Sequence, residues 1–333
     1  MFSGGLDSIV ATKLMLDLGV EMLALHFTTP FIDPYDAKGG PTKAAKRAAQ
    51  LGVPLREIDV WPEFMELLKK PRYGFGKNLN PCIDCKIFFL RKAKQIMEAE
   101  GFDFVFTGEV KGQRPMSQNK QSLDNIANFS GLGDRLLRPL TAKTLPPTHP
   151  ELTGLVDREK LLGVTGRSRK HQLALAEQAG IEDPPGSGGG CLLTDPNYST
   201  RLTHLMEMKE EINHIDLHLL YVGRHLRLPG GSKVIVSRNE SENKLLEKWA
   251  VAGTFFVFPS PEWLGPVALV MTPSNAPEAP LGLVAALMNR WGKPTAEGAV
   301  IAKYPAGNTE RRVLPDPDFQ EASIEAMHIR ACG

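Results

Sequence analysis

The sequence predicts an α/β domain, a parallel sheet with helices on both faces, followed by a smaller α+β domain. Three observations carry that expectation. Apolar residues recur at helical spacing over 8–19, 41–52 and 84–100, while 22–28, 53–60 and 103–107 are short, apolar and strand-like. These segments alternate, which is the order that folds into parallel strands covered by helices. Beyond about Thr200 the pattern changes to short strand-like runs with turn signals, so a second domain is placed at 201–333 after a first at 1–200. A length of 333 residues agrees with two domains at roughly 150 residues each.

Ser3-Gly4-Gly5-Leu6-Asp7-Ser8 opens the first helix. Only Met1 and Phe2 precede this turn, where a strand of about five residues is expected, so the first strand reads as shortened by a late start or by trimming. Two glycines and two hydroxyls at a helix mouth suit an anion, because the first N–H groups of a helix lack partners and the helix dipole is positive there. The Gly-Lys-Ser/Thr ending of a Walker loop is missing. An ordinary glycine-rich turn, with Asp7 favouring the first helical turn, is the competing reading.

The next loop, Thr107-Gly108-Glu109, follows the third strand-like run and leads to Lys111 and Arg114. Prolines cluster between Pro139 and Pro150, and the run from Pro184 to Gly190 forms a second break; between them lies a helix-turn-helix pattern. In the second domain, 219–228 and 232–237 read as a hairpin joined by Pro229-Gly230-Gly231. Ser237 stands three residues before Glu240, the spacing of a capping box ahead of a helix over 242–251. Further strands are expected at 254–258, 267–271 and 299–304.

Composition excludes several classes. Hydrophobic residues are 42% and charged residues 23%, against disorder and coiled coil. The formal charge is +1, so nucleic-acid contact has to come from local patches. No apolar run of about 18 residues suggests a membrane span, and no secretory signal is apparent, so a cytoplasmic protein with no membrane partner is expected.

Four cysteines in such a chain read as metal or redox chemistry and not as a disulfide scaffold. Cys82 and Cys85 form a CxxC pair where a loop enters a helix, a position that lowers thiol pKa. Cys191 follows three glycines, which let a third thiolate approach. Cys332 has no motif around it.

Ser-Gly-Gly-x-Asp-Ser resembles the PP-loop of ATP pyrophosphatases, and Asn80-Pro81-Cys82-Ile83-Asp84-Cys85-Lys86 resembles the cysteine motif of tRNA thiouridine synthases in that superfamily. The resemblance covers about residues 1–200. It implies ATP and Mg2+ bound by Ser3, Gly4, Gly5, Asp7, Ser8, His26, Gly108 and Glu109, with adenylation of a uracil carbonyl followed by sulfur transfer. Asp7, Cys82, Cys191, Lys111 and Arg114 are the implied catalytic residues, though Lys111 and Arg114 also fit plain surface cations. Cys82, Cys85 and Cys191 suit a [4Fe-4S] cluster with one open iron. Zinc, a persulfide on Cys191 resolved by Cys82, and buried thiols without metal stay open. The implied partners are tRNA and a sulfur donor, either sulfide or a persulfide carrier. A small-molecule carbonyl or carboxyl substrate, or a non-catalytic RNA-binding or sulfur-carrier role, are the alternatives.

Tyr221-Val222-Gly223-Arg224-His225-Leu226-Arg227 and Arg238-Asn239-Glu240 resemble the NFACT-R (DUF814) RNA-binding domain over about 217–310. From residue 200 onward 14 basic residues stand against 15 acidic ones. RNA contact there therefore requires Arg224, Arg227 and Arg238 to converge across the hairpin; arginines on the solvent face of a sheet are the other reading. In the first domain Arg167, Arg169 and Lys170 form a basic cluster suited to RNA phosphates or to a solvated helix end.

Overall fold

The computed structural model describes residues 1–32, 40–181, 191–209, 211–249, 254–272, 279–304 and 309–330. The expected break over 184–190, the predicted helix end at 251 and Cys332 lie outside these residues. The chain divides into two compact units, Met1–Thr194 and Asp195–Gly333.

In the first unit the order is α1 (Leu6–Asp17), β1 (Ala24–Thr28), α2 (Lys43–Leu51), β2 (Leu55–Asp59), α3 (Trp61–Lys69), α4 (Cys82–Glu100), β3 (Val105–Phe106), α5 (Lys120–Ser130), β4 (Leu136–Leu137), α6 (His149–Leu152) and α7 (Lys170–Gln178). β1 pairs with β2 in parallel, and β3 with β4 in parallel. The hydrogen-bond ladder therefore forms two pairs and not the one continuous sheet expected. Met1 and Phe2 lie between the pairs: the Phe2 N–H donates to the Leu25 carbonyl at 2.8 Å, and the Met1 amine donates to Phe106 at 3.0 Å.

Alternation along β1 explains its two cores. Ala24 packs with Ile9, Ala44 and Ala48 of α1 and α2. Leu25 and Phe27 pack with Ile87, Leu90 and Met97 of α4 and with Ile126 of α5. The period of two sends neighbours to opposite faces. Phe27 stacks on Phe89 at 5.4 Å between ring centres, and Phe89 on Phe64 at 5.9 Å, which fixes α3 and α4 on the β1–β2 pair.

The second unit contains α8 (Pro196–Met208), α9 (His214–Leu219), β5 (Arg224–Arg227), β6 (Lys233–Val236), α10 (Glu240–Lys248), β7 (Thr254–Pro259), β8 (Ala268–Met271), α11 (Leu281–Trp291), β9 (Val300–Tyr304), β10 (Thr309–Val313) and α12 (Ile324–Met327). Its sheet is antiparallel in the order β10-β9-β7-β8-β6-β5, and the expected hairpin is β5–β6, with Arg227 opposite Lys233. One face, bearing Leu226, Val234, Val236, Val257, Ala268 and Val270, packs on Val284, Leu287 and Met288 of α11. The capping expectation at Ser237 is corrected. Asn239 caps α10 by accepting from the Glu242 N–H, while buried Ser237 accepts from the Val267 N–H and has no freedom to cap. Among the described residues, no helix is long and apolar enough to cross a membrane.

Candidate nucleotide and thiol site

The turn before α1 is built by close approach. Gly4 has φ +66°, and a Cβ there would stand 2.9 Å from the Ala44 Cα, so both conformation and space require glycine. Gly5 caps α1 without any side-chain cap bond. The Ser8 hydroxyl donates to the Gly5 carbonyl at 2.8 Å and lies 3.2 Å from the Ser3 hydroxyl. An uncapped helix of this length presents unfilled N–H groups at its mouth, where an anion is favoured.

Gly108 presses directly onto this turn. A Cβ at Gly108 would stand 2.5 Å from the Asp7 carbonyl carbon and oxygen, so the loop after β3 touches the first turn of α1 through bare backbone. His26, by contrast, is buried on β1 with its Nδ1 3.0 Å from the Phe2 carbonyl, a contact that fastens the chain just before the turn.

The Asp7 carboxylate is held from three sides. Gln113 Nε2 donates to it at 2.6 Å and Gln172 Nε2 at 3.3 Å, and the Arg169 guanidinium lies 3.8 Å away. Gln172 is fully buried and also donates to Gln113 at 2.9 Å. Arg169, expected among RNA contacts, thus belongs beside Asp7, while Arg167 and Lys170 are exposed. Gln172 carried no sequence signal, since a lone glutamine in an amphipathic helix reads as solvated.

Glu109 is saturated by protein partners. Lys86 donates to it at 2.6 Å and Arg138 at 2.9 Å, and the Thr107 hydroxyl adds a bond at 3.2 Å. Burial alone would raise its pKa, but Lys86 and Arg138 overcome this and hold it down at about 2. Lys86 follows Cys85 directly, so the ion pair ties the start of α4 to the loop that touches Asp7. Lys111 faces elsewhere and donates to the Thr144 carbonyl at 3.2 Å; Arg114 is exposed.

Cys82, Cys85 and Cys191 are free thiols, each half-buried. Cys191 is docked by its neighbours: the Leu192 N–H donates to the Phe31 carbonyl at 2.8 Å, and Asn78 Nδ2 donates to the Thr194 carbonyl at 2.8 Å. The Cys82 thiol lies 3.5 Å from the Ser117 hydroxyl. The three sulfurs sense one another electrostatically. Burial pushes the Cys85 thiol well above its ordinary range, reinforced by Cys82 and Cys191. Burial likewise pushes Cys191 up to about 11, with Arg114 acting weakly against it. The expected lowering by the helix N-terminus is therefore corrected at Cys85, because burial outweighs the dipole. Among the described residues, no group of three or more His, Cys, Asp or Glu side chains converges to hold a metal ion, so the geometry does not form the zinc site weighed from the sequence.

In the second unit the expected three-arginine patch is not one patch. Arg224 stacks over Trp291 at 4.8 Å and donates to the Ser237 carbonyl, and it lies in electrostatic range of Arg238. Arg238 is paired with Glu242 at 2.8 Å. Arg227 turns away, donating to the Gly231 carbonyl at 2.6 Å and to His204 at 3.1 Å. The cause is strand alternation, which sends 224 and 227 to opposite faces.

A glycine turn on an uncapped helix, pressed by a second glycine loop within an α/β unit, is the arrangement that resembles a PP-loop. More particularly, residues 1–143 match the family described as thiamine biosynthesis protein (ThiI), and residues 223–326 match the NFACT protein RNA binding domain. The first unit is thus similar to the ThiI family over residues 1–143, and the second to the NFACT RNA binding domain over residues 223–326. Relatives include a tRNA-specific 2-thiouridylase MnmA of Syntrophotalea carbinolica, 32% identical over 32% of this chain and 32% of its own length. A probable tRNA sulfurtransferase of Methanothermobacter thermautotrophicus is 29% identical over 42% of this chain and 35% of its own. One from Streptococcus suis is 33% identical over 38% and 30%. The chain spans about a third of the length of these relatives.

Proposed function

We propose that this protein is an ATP-dependent sulfurtransferase that thiolates a uridine in tRNA, acting in the cytoplasm. The observation that carries the reading is physical continuity within the first unit. Asp7 touches Gly108, Glu109 follows it, Glu109 pairs with Lys86, and Lys86 adjoins the thiols. An adenylating loop and a sulfur-handling site are thereby joined by one short chain of contacts.

The uncapped start of α1 with Ser3, Gly4, Gly5 and Ser8 receives the nucleotide phosphates, and Asp7, oriented by Gln113 and Gln172, offers its carboxylate to Mg2+. The uracil carbonyl oxygen attacks the α-phosphorus and pyrophosphate leaves. Sulfur then adds to the same ring carbon, and AMP departs with the former carbonyl oxygen. Arg169 and the exposed Arg114 are the cations available to phosphate charge.

The donor chemistry of three thiols fits an iron-sulfur group better than a single ion. A four-iron cluster spreads its thiolates over separate irons, so its ligands need not converge on one point. Cys82, Cys85 and Cys191 would hold it, and when bound it supplies a Lewis-acidic iron for sulfide. The raised thiol pKa values mean that such binding releases protons. The NFACT-R-type unit would hold the RNA. The test is iron and acid-labile sulfide content of anaerobically purified protein beside Cys191→Ala. About four irons per chain, lost in the variant, support the cluster; no iron leaves a persulfide on Cys191, resolved by Cys82, as the sulfur route.

A further inference from the structure

The β5–β6 hairpin has a second face that the hydrophobic core does not use. Arg227 stands opposite Lys233, and His225 opposite Ile235, so these four side chains share the face away from Leu226, Val234 and Val236. α8 adds Arg201 and His204, three positions apart on one side of the helix. Lys233 is 3% exposed and His225 1% exposed, whereas Arg201, His204 and Arg227 are half-buried and form the rim.

The carboxylates that favour charge here, Asp216 for Lys233 and Asp195 and Glu242 for Arg201, are each engaged by another partner. Asp216 is paired with Lys209 at 2.5 Å, Glu242 with Arg238, and Asp195 caps α8 by accepting from the Tyr198 N–H at 2.7 Å. Among the described residues, no salt bridge pairs the Lys233 ammonium, and the buried Arg201 Nε has no hydrogen-bond partner. The Arg227 guanidinium donates to the His204 ring, which requires that ring to be neutral. Burial, with Arg227 and Lys233 beside it, agrees by pushing His204 down to about 4. Burial, followed by Arg227 and Arg201, likewise lowers Lys233 to about 8. Like charges gathered out of water with donors unpaired are costly unless an anion joins them.

We propose that Lys233, Arg201 and Arg227, beneath α8, form a binding site for a phosphate oxyanion. The phosphate is either a backbone group of bound RNA or that of a free phosphorylated ligand. Only the RNA source rests on the RNA-binding reading of this unit; the oxyanion site does not.

The full chain is tested by thermal melting in rising inorganic phosphate against sodium chloride of equal ionic strength. Phosphate should raise the melting temperature saturably above the chloride control. Lys233→Met should lose most of that response while its basal melting temperature stays level or rises, because a buried like charge is removed. Arg227→Gln, at the rim, should fold normally and weaken phosphate binding about tenfold, as expected for one charge-assisted contact. Superimposable phosphate and chloride curves would overturn the proposal. So would a Lys233→Met variant that melts lower yet keeps the full phosphate response, the mark of a purely structural lysine. A second arm measures a single-stranded oligoribonucleotide by fluorescence anisotropy. Competition by phosphate together with weaker RNA binding in Arg227→Gln assigns the site to RNA backbone, and indifference to both assigns it to a free phosphorylated ligand.

Discussion

Two buried charges, one in each unit, are handled in opposite ways. Glu109 meets Lys86, Arg138 and the Thr107 hydroxyl, so every strong demand of the carboxylate is met inside the protein. Lys233 is buried just as deeply, yet Arg227 and Arg201 beside it share its sign, and the carboxylate in range, Asp216, is paired with Lys209. The contrast separates two roles for buried charge. A satisfied ion network holds elements in place, here α4 against the loop at Gly108. An unsatisfied one marks where something from outside binds.

The comparison breaks first at the thiols. Cys82→Ala, Cys85→Ala or Cys191→Ala should reduce tRNA thiolation to background, read as thiouridine in digested tRNA, with pyrophosphate release largely kept. Thiolation surviving the loss of Cys191 would separate that residue from the site. Next in size, Gly108→Ala forces a side chain against the Asp7 backbone, and a shift on the scale of 1 Å costs roughly 100-fold in rate. The expected outcome is a matching loss of ATP-dependent pyrophosphate release in a protein that still folds.

Glu109 sharpens the contrast through pH. Its folded pKa of about 2 lies below the ordinary 4.5, so its contribution is complete above pH 4.5 and is lost as pH falls toward 2. The full difference is about 3 kcal/mol. Denaturant melts of wild type and Glu109→Gln should converge as pH drops through that window, since protonation removes the charge that the variant lacks. Lys233 has the opposite slope. Its folded pKa of about 8 is below the ordinary 10.5, so the penalty of charging it is present below pH 8 and is relieved as pH rises toward 10.5. Stability of the wild type relative to Lys233→Met should rise over that window, the smallest effect of the series where other groups also titrate.

Much of this was readable from residues alone. The glycines at 4 and 108 stood out in their loops, and close approach there, with a positive φ at Gly4, leaves no room for a side chain, while the CxxC pair stood out by spacing. Strand-like runs over 219–228 and 232–237 around Pro229-Gly230-Gly231 predicted the hairpin, whose strands are Arg224–Arg227 and Lys233–Val236, and similar runs predicted β7, β8 and β9. The rest lay in long-range pairing. Gln172 reaches Asp7 across 165 positions, and Arg138 reaches Glu109 across 29, separations that no local pattern encodes. α11, apolar on most of its surface, offered no clean helical stripe because it is buried nearly all round. The three-arginine patch was misread because two of its members share one strand and their positions, three apart, face opposite sides.

In the proposed function, adenylation and thiolation are one reaction on RNA. Its most direct test incubates the full chain with ATP, Mg2+, sulfide and unmodified tRNA, and follows pyrophosphate together with thiouridine, beside Asp7→Ala. Both products should depend on tRNA and ATP, and both should vanish in the variant. Pyrophosphate released without tRNA, with no thiouridine formed, would contradict it.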